Sequence, residues 1–314
     1  MTVVRGWLAP LFALLAACAA PAGADDKLLY RTRSAFNTLL VSEDGNGMRV
    51  LRFEPGGARQ SVVKLGDPDH LEVAYAKAIP IALAYVPEPR SVLIVGLGGG
   101  TIPSFLRRRF PVLVIDVVEI DPAVVKVARS YFGFREDARL RAYAEDGRAF
   151  IERRAAAYDI IILDAFGARE VPYALATVEF QRSVRRALRP RGVVIGNIWG
   201  RFDNPLYAAM VRTYRAVYEE LAIVDLEGVS NKLVIACPWS PMPSREEVIR
   251  RARALSATLA LRAGLGAIVE RGLRPAGGDD AGAQVLTDDS PPGAAGSAQR
   301  QGARLEPMDH GYRR

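Results

Sequence analysis

Cysteine is nearly absent from this chain of 314 residues: Cys18 and Cys237 are the two present. That excludes a disulfide framework. Lysine is scarce as well. Five lysines, at 27, 64, 77, 126 and 232, stand among 42 basic residues, and the rest are arginine. The 42 basic residues against 35 acidic ones give a net charge of +7 and a pI near 9.6. No nucleic-acid motif accompanies that charge, so an arginine-heavy, alanine-rich composition reads as GC-rich coding, and nucleic acid is not an expected partner. Internal repeats are lacking, and no clean GxGxxG occurs. The apolar run from Trp7 to Ala20 is too short to cross a bilayer comfortably. What is there is ordinary: 50% hydrophobic and 25% charged residues exclude wholesale disorder and coiled coil, and leave ample sequence for a buried core.

Residues 1–24 read as an address. Arg5 precedes the apolar run, and Ala22-Gly23-Ala24 is a small-x-small site just before Asp25-Asp26. Leu15-Ala16-Ala17-Cys18 resembles a bacterial lipobox, in which the cysteine becomes lipidated. The expectation is an exported protein, periplasmic or membrane-anchored through a lipid on Cys18; a miscalled gene start would leave it cytoplasmic. Cys237 is then a lone thiol in a strand, read as a small core residue.

The segment 28–66 is short-period and strand-like. LLVSE at 39–43 and MRVLRF at 48–53 flank Asp44-Gly45-Asn46-Gly47, a strong hairpin signal, and Glu54-Pro55-Gly56-Gly57 is a further turn. This predicts a small N-terminal β-domain. A helix follows over about 70–86, capped by Asp67 or Asp69 and kinked at Pro80. From Ser91 strands alternate with helices. Strands are expected at Val92–Val95, Val112–Val118, Arg139–Tyr143, Tyr158–Leu163, Val193–Ile198, Ala222–Leu226 and Lys232–Cys237. That alternation predicts a doubly wound, seven-stranded α/β sheet over 67–273. Its closing hairpin suggests the methyltransferase variant of the Rossmann fold. Arginines in the helical stretch 244–273 read as a solvated face. The Gly-, Ala-, Pro- and Ser-rich stretch 274–314 reads mostly as a flexible tail.

Four features fall in register at the carboxyl ends of successive strands. Gly96-Leu97-Gly98-Gly99-Gly100 lets the backbone approach a ligand and turn into a helix. Glu119, in Val118-Glu119-Ile120-Asp121, stands at the separation from Gly96 at which a carboxylate takes ribose hydroxyls. Asp146-Gly147 pairs an acceptor with flexible backbone, suited to an adenine amino group. Asp164 ends the fourth strand, at the edge where open α/β sheets bind ligands. Each acid has a bland reading: Glu119 or Asp121 and Asp146 as helix caps, Asp164 as a solvated loop carboxylate. Four together favour a nucleoside cleft, and the glycine loop favours an adenosyl ligand over a dinucleotide. No metal site is expected.

GLGGG, VEIDP, Asp146-Gly147 and YDIIILDAFG together resemble the spermidine synthase (polyamine aminopropyltransferase) family. The N-terminal hairpins with Gln60-Ser61, and Leu286-Thr287-Asp288-Asp289, are similar to it too. The resemblance spans roughly 30–290. It implies a small β-domain on a Rossmann-like S-adenosylmethionine-dependent methyltransferase fold, assembled as a homodimer. It implies decarboxylated S-adenosylmethionine as donor, an amine such as putrescine as acceptor, and methylthioadenosine as by-product. Carried over by residue, Gly96, Gly98, Gly100 and Thr101 border the donor, Glu119 holds the ribose, and Asp146 with Gly147 holds the adenine. Asn37 falls near a nucleoside-touching position, Gln60 and Tyr75 line the substrate, and Asp164 is the general base.

Departures are equally visible. Thr101 replaces the acid of a GGGDG loop, Ala76 stands where glutamine is common, and Asp164-Ala165-Phe166-Gly167 lacks a second aspartate. The nucleoside half of the site is kept and much of the diamine half is lost. Three readings follow: an aminopropyltransferase acting on an amine, an S-adenosylmethionine-dependent methyltransferase, or an exported non-catalytic nucleoside- or polyamine-binding protein.

Overall fold

The computed structural model describes residues 26–167, 171–258 and 264–290. The leader at 1–24, with Cys18, and the segment 291–314 lie outside the described residues.

Four strands form an antiparallel meander in the order β1-β2-β3-β4: β1 (Lys27–Arg33), β2 (Thr38–Glu43), β3 (Met48–Arg52) and β4 (Ser61–Lys64). The β2–β3 turn forms where the dipeptides require it. Asp44 accepts from the backbone N–H groups of Asn46 and Met48, and Gly47 takes a left-handed φ of 74°. Leu39, Val41 and Leu51 point inward and join the main core, so the meander is welded to the α/β unit. Arg49 donates to the Tyr131 carbonyl, and Tyr30 stacks on Tyr131 with ring centroids 5.1 Å apart.

The expected helix over 70–86 is broken. It comprises α1 (Ala74–Ala78), a 3-10 turn carrying Pro80 at its start, and α2 (Ala82–Tyr85). Pro80 cannot donate in the helix ladder, so the kink becomes a break. The proposed caps do not hold. Val73 is the N-cap of α1 and makes no side-chain cap bond, while Asp69 pairs with Arg108 and Arg109.

The main sheet has eight strands in the order β12-β10-β11-β9-β8-β5-β6-β7. They are β5 (Ser91–Val95), β6 (Val114–Glu119), β7 (Leu140–Ala144), β8 (Tyr158–Leu163), β9 (Leu188–Trp199), β10 (Glu220–Asp225), β11 (Asn231–Cys237) and β12 (Leu273–Pro275). β5 to β9 run parallel, and β11, β10 and β12 add on antiparallel. Helices α3 (Thr101–Arg109), α4 (Pro122–Tyr131), α5 (Gly147–Glu152), α6 (Val178–Ala187) and α7 (Tyr207–Arg215) cross between strands. Side chains alternate between two cores. Val92 and Ile94 pack with the meander, α3 and α4, while Leu93 and Val95 pack with α5, α6 and α7. Cys237 is buried in the first of these. Two further helices, α8 (Arg245–Thr258) and α9 (Leu265–Gly272), complete that face.

Seven strands were expected in this sheet and eight are present among the described residues. Leu-Arg-Pro at 273–275 is too short to show a period, yet it pairs with β10. The expected tail also begins too early. Arg274 pairs with Asp225 and Asp279, Arg215 pairs with Asp280, and Leu286 is buried in the second core. Residues 274–290 are therefore part of the fold. Glycine- and alanine-rich sequence hid this, because the segment is held by ion pairs and one leucine rather than by a periodic apolar face.

Candidate active site

The strand order reverses between β5 and β8, and open α/β sheets bind ligands at such a switch point, beyond the strands' carboxyl ends. A cleft lies there with about 990 Å3 of empty space, its open mouth included. Its floor is formed by the residues that leave β5, β6, β7 and β8, and its roof by Phe53, Gln60 and Ser61 of the meander.

The glycine loop is shaped by contact as much as by flexibility. Gly96 has a φ of 99°, and a Cβ there would sit 2.3 Å from the Asp164 carbonyl oxygen. The β5 and β8 exits therefore touch backbone to backbone, which sets Asp164 beside the loop. Leu97 N–H donates to Glu119 Oε2 at 3.0 Å, and Asp121 N–H donates to Oε1 at 3.0 Å. Glu119 is 8% exposed. Loss of water pushes its pKa up, against the pull of those backbone donors. Each oxygen keeps acceptor capacity for a ligand hydroxyl. Ser61 Oγ accepts from Gly99 N–H at 2.9 Å, which ties the roof to the loop.

Asp146 caps α5 by accepting from Ala149 N–H at 2.8 Å, so the bland reading holds for it and the residue still lines the cleft. Asp121 caps α4 through Ala123 N–H and takes a bond from the Ser34 hydroxyl. Asp164 is recessed among protein atoms at the end of β8. Burial raises its pKa to about 7; the bond from Asn197 opposes the rise, and the nearby charge of Glu119 adds to it. Tyr75 reaches in from α1, donates to the Gln60 carbonyl at 3.0 Å, and has its phenol pKa raised by burial and then by Asp164. Arg148, also in the lining, is held by Asp288 and Glu152. The cleft thus offers Glu119, Asp146 and Asp164 against one lining guanidinium that is already paired, a potential suited to a cationic ligand.

Gly96, Gly98, Thr101, Glu119, Asp146, Gly147, Asp164, Gln60 and Tyr75 all line this cleft. Two expected residues do not. Gly100 is the left-handed N-cap of α3, where a Cβ would meet the Phe134 ring at 2.6 Å, so it serves packing. Asn37 lies in the β1–β2 turn, its backbone bonded to Ser34, and it is absent from the lining.

Sequence reasoning missed Arg148, Phe166 and Asn197. Phe166 lines the cleft and stacks on Trp199 with centroids 5.6 Å apart. Asn197 is 3% exposed and donates to Asp164 Oδ1 at 2.8 Å. The signal for Asn197 was one carboxamide interrupting Val193-Val194-Ile195-Gly196 in a strand buried on both faces.

Comparison with known proteins agrees with this geometry. Residues 72–213 match the Spermine/spermidine synthase domain. A polyamine aminopropyltransferase of Vibrio vulnificus is 30% identical over 256 residues, covering 79% of this chain and 85% of that relative. The crystal structure of human methyltransferase-like protein 13 in complex with SAH is 30% identical, with a TM-score of 0.56 over 60% of this chain and 93% of that one. A probable spermidine synthase from Corynebacterium glutamicum, at 19% identity, shares the fold with a TM-score of 0.66 over 84% of this chain and 97% of that one. The fold is the Rossmann-like one of S-adenosylmethionine-dependent methyltransferases, with a small antiparallel N-terminal sheet. The chain is a transferase, and it belongs to the spermine/spermidine synthase family.

Proposed function

We propose that this protein transfers the aminopropyl group of decarboxylated S-adenosylmethionine to an amine such as putrescine. The observation that carries the reading is Asp164. It is a recessed carboxylate with a pKa near 7, in one cleft with the nucleoside-binding candidates Glu119 and Asp146. A base of that strength is about half ionised at neutral pH, so it can both take up and hold a proton there.

The residues present fit an adenosyl sulfonium. Glu119 would take the ribose hydroxyls, and Asp146 with Gly147 would read the adenine. The donor supplies a carbon activated by its sulfonium leaving group. An acceptor ammonium gives its proton to Asp164, and the freed nitrogen lone pair forms the new C–N bond. The C–S bond breaks and its electron pair neutralises the sulfur as a thioether. A sulfonium needs no proton to leave, so alignment and one carboxylate suffice.

A second reading, methyl transfer from S-adenosylmethionine, is favoured by a specific observation. Thr101 opens α3 where the aminopropyl ammonium would want an acid, and the first turn of α3 carries none. The similarity to an SAH-bound methyltransferase-like protein points the same way. Product analysis by mass spectrometry separates the two. Methylthioadenosine released from the decarboxylated donor supports aminopropyl transfer. S-adenosylhomocysteine and a methylated amine, with no methylthioadenosine, would replace it with the second reading.

Export through the leader at 1–24, a lipid on Cys18 and a homodimer belong to the same proposal. The mass of the native N-terminus tests the first two, and light scattering tests the third. An unprocessed Met1 would contradict export.

A further inference from the structure

Two linked carboxamides, Asn197 buried and Asn231 half-buried, run behind the cleft. Asn231 Nδ2 donates to Asn197 Oδ1 at 2.9 Å, and Asn197 Nδ2 donates to Asp164 Oδ1 at 2.8 Å. Asn231 lies on β11, Asn197 on β9 and Asp164 just beyond β8, three adjacent strands of one sheet. A carboxamide buried like Asn197 is costly unless both ends are satisfied. Its orientation is set by its neighbours. An ionised Asp164 can accept and cannot donate, so Asn197 must turn its NH2 group to it. The opposite oxygen then needs a donor, and Asn231 supplies one. Asn231 is held in turn by backbone pairing opposite Trp199, whose ring stacks on Phe166 two residues after Asp164.

We infer that Asn197 is a positioning residue for Asp164, and that Asn231 locks Asn197 in the orientation this requires. Asn197 commits Oδ1 to a fixed bond and leaves Oδ2 as the oxygen that takes the acceptor's proton. It also stabilises the charged carboxylate, because a donor to the ionised form opposes the rise that burial causes. The other titratable or charged groups around Asp164 are Glu119 from β6 and Tyr75 from α1, whose ionisation is coupled to it, and Asp146 and Arg148, which line the same cleft. None of these donates a hydrogen bond to Asp164 among the described residues. Loss of Asn197 should therefore move the Asp164 midpoint upward, and loss of Asn231 should move it the same way by less.

The inference rests on Asp164 being the base, and its test is read without turnover. Full-length protein carrying 13C-carboxyl aspartate is titrated by NMR, the Asp164 signal being identified by its loss in Asp164→Asn. In Asn197→Ala the midpoint is expected to rise by about one unit, a tenfold change in proton affinity. Asn231→Ala, which removes no group from the cleft wall, should raise it by a smaller amount and serves if Asn197→Ala does not fold. An unchanged midpoint in a folded variant overturns the inference, even where thermal stability falls, since a purely structural amide lowers the melting temperature without moving the titration. If the midpoint moves while no amine and donor give product, the inference stands and the functional reading fails.

Discussion

Burial at the β8 exit, beside the cleft, raises the pKa of Asp164 to about 7, with its amide donor opposing the rise and the charge of Glu119 adding to it. Two outcomes follow. kcat/KM should rise about tenfold per pH unit below about 7 and level off above it, and Asp164→Asn should abolish that limb. The stability effect has the opposite sense. The folded pKa lies above the ordinary value of 3.8, so this group's contribution is full below pH 3.8 and lost as pH rises through about 7. Ligand-free Asp164→Asn should therefore melt higher than the parent protein at pH 8, with the gap closing towards pH 4. A scan of melting temperature against pH reads this, and a variant that melts lower at pH 8 would contradict it. Asp164 and Glu119 were legible because an acid at a strand's end breaks an apolar run. Asn197 was not, because one carboxamide inside a strand carries no spacing that distinguishes a partner of the base from a satisfied core residue.

Elements place these side chains by contact between layers. The meander is an active-site roof because β4 meets the glycine loop through Ser61 and the Gly99 N–H. Ser61→Ala would leave that buried N–H without a partner, at a cost of about 1–3 kcal/mol. Urea unfolding should show the midpoint fall, and donor affinity should weaken with it. An unchanged midpoint would mean that water replaces the hydroxyl. The order of strands and helices was readable from the alternation of periods and from Gly and Pro punctuation. The break at Pro80 was readable as a kink, but its extent depends on packing against α8 and α9. β12 was not readable: three residues have no period, and their pairing with β10 is decided by Arg274 reaching Asp225.

At the scale of the molecule, the described residues build two sheets with the cleft where they meet, and many of their arginines are spent on ion pairs. Arg148 of α5 holds Asp288, Arg215 of α7 holds Asp280, and Arg274 reaches Asp225 of β10, which together fasten 274–290 to the rest of the fold. Leu286 plugs the second core, so Leu286→Ala should cost about 2–5 kcal/mol. A thermal melt reads this directly, and an unaltered melting temperature would mean that the segment is not fastened. The carboxylates in the cleft say more about ligands than the net charge of +7 does. Glu119, Asp146 and Asp164 give the cleft an acidic lining suited to a cationic ligand. The most direct test is mass spectrometric detection of methylthioadenosine after incubation with decarboxylated S-adenosylmethionine and a panel of amines, for the parent protein and Asp164→Asn side by side. The account predicts release with at least one amine and its loss in the variant. Equal release from both proteins, or none from the parent with any amine, would contradict it.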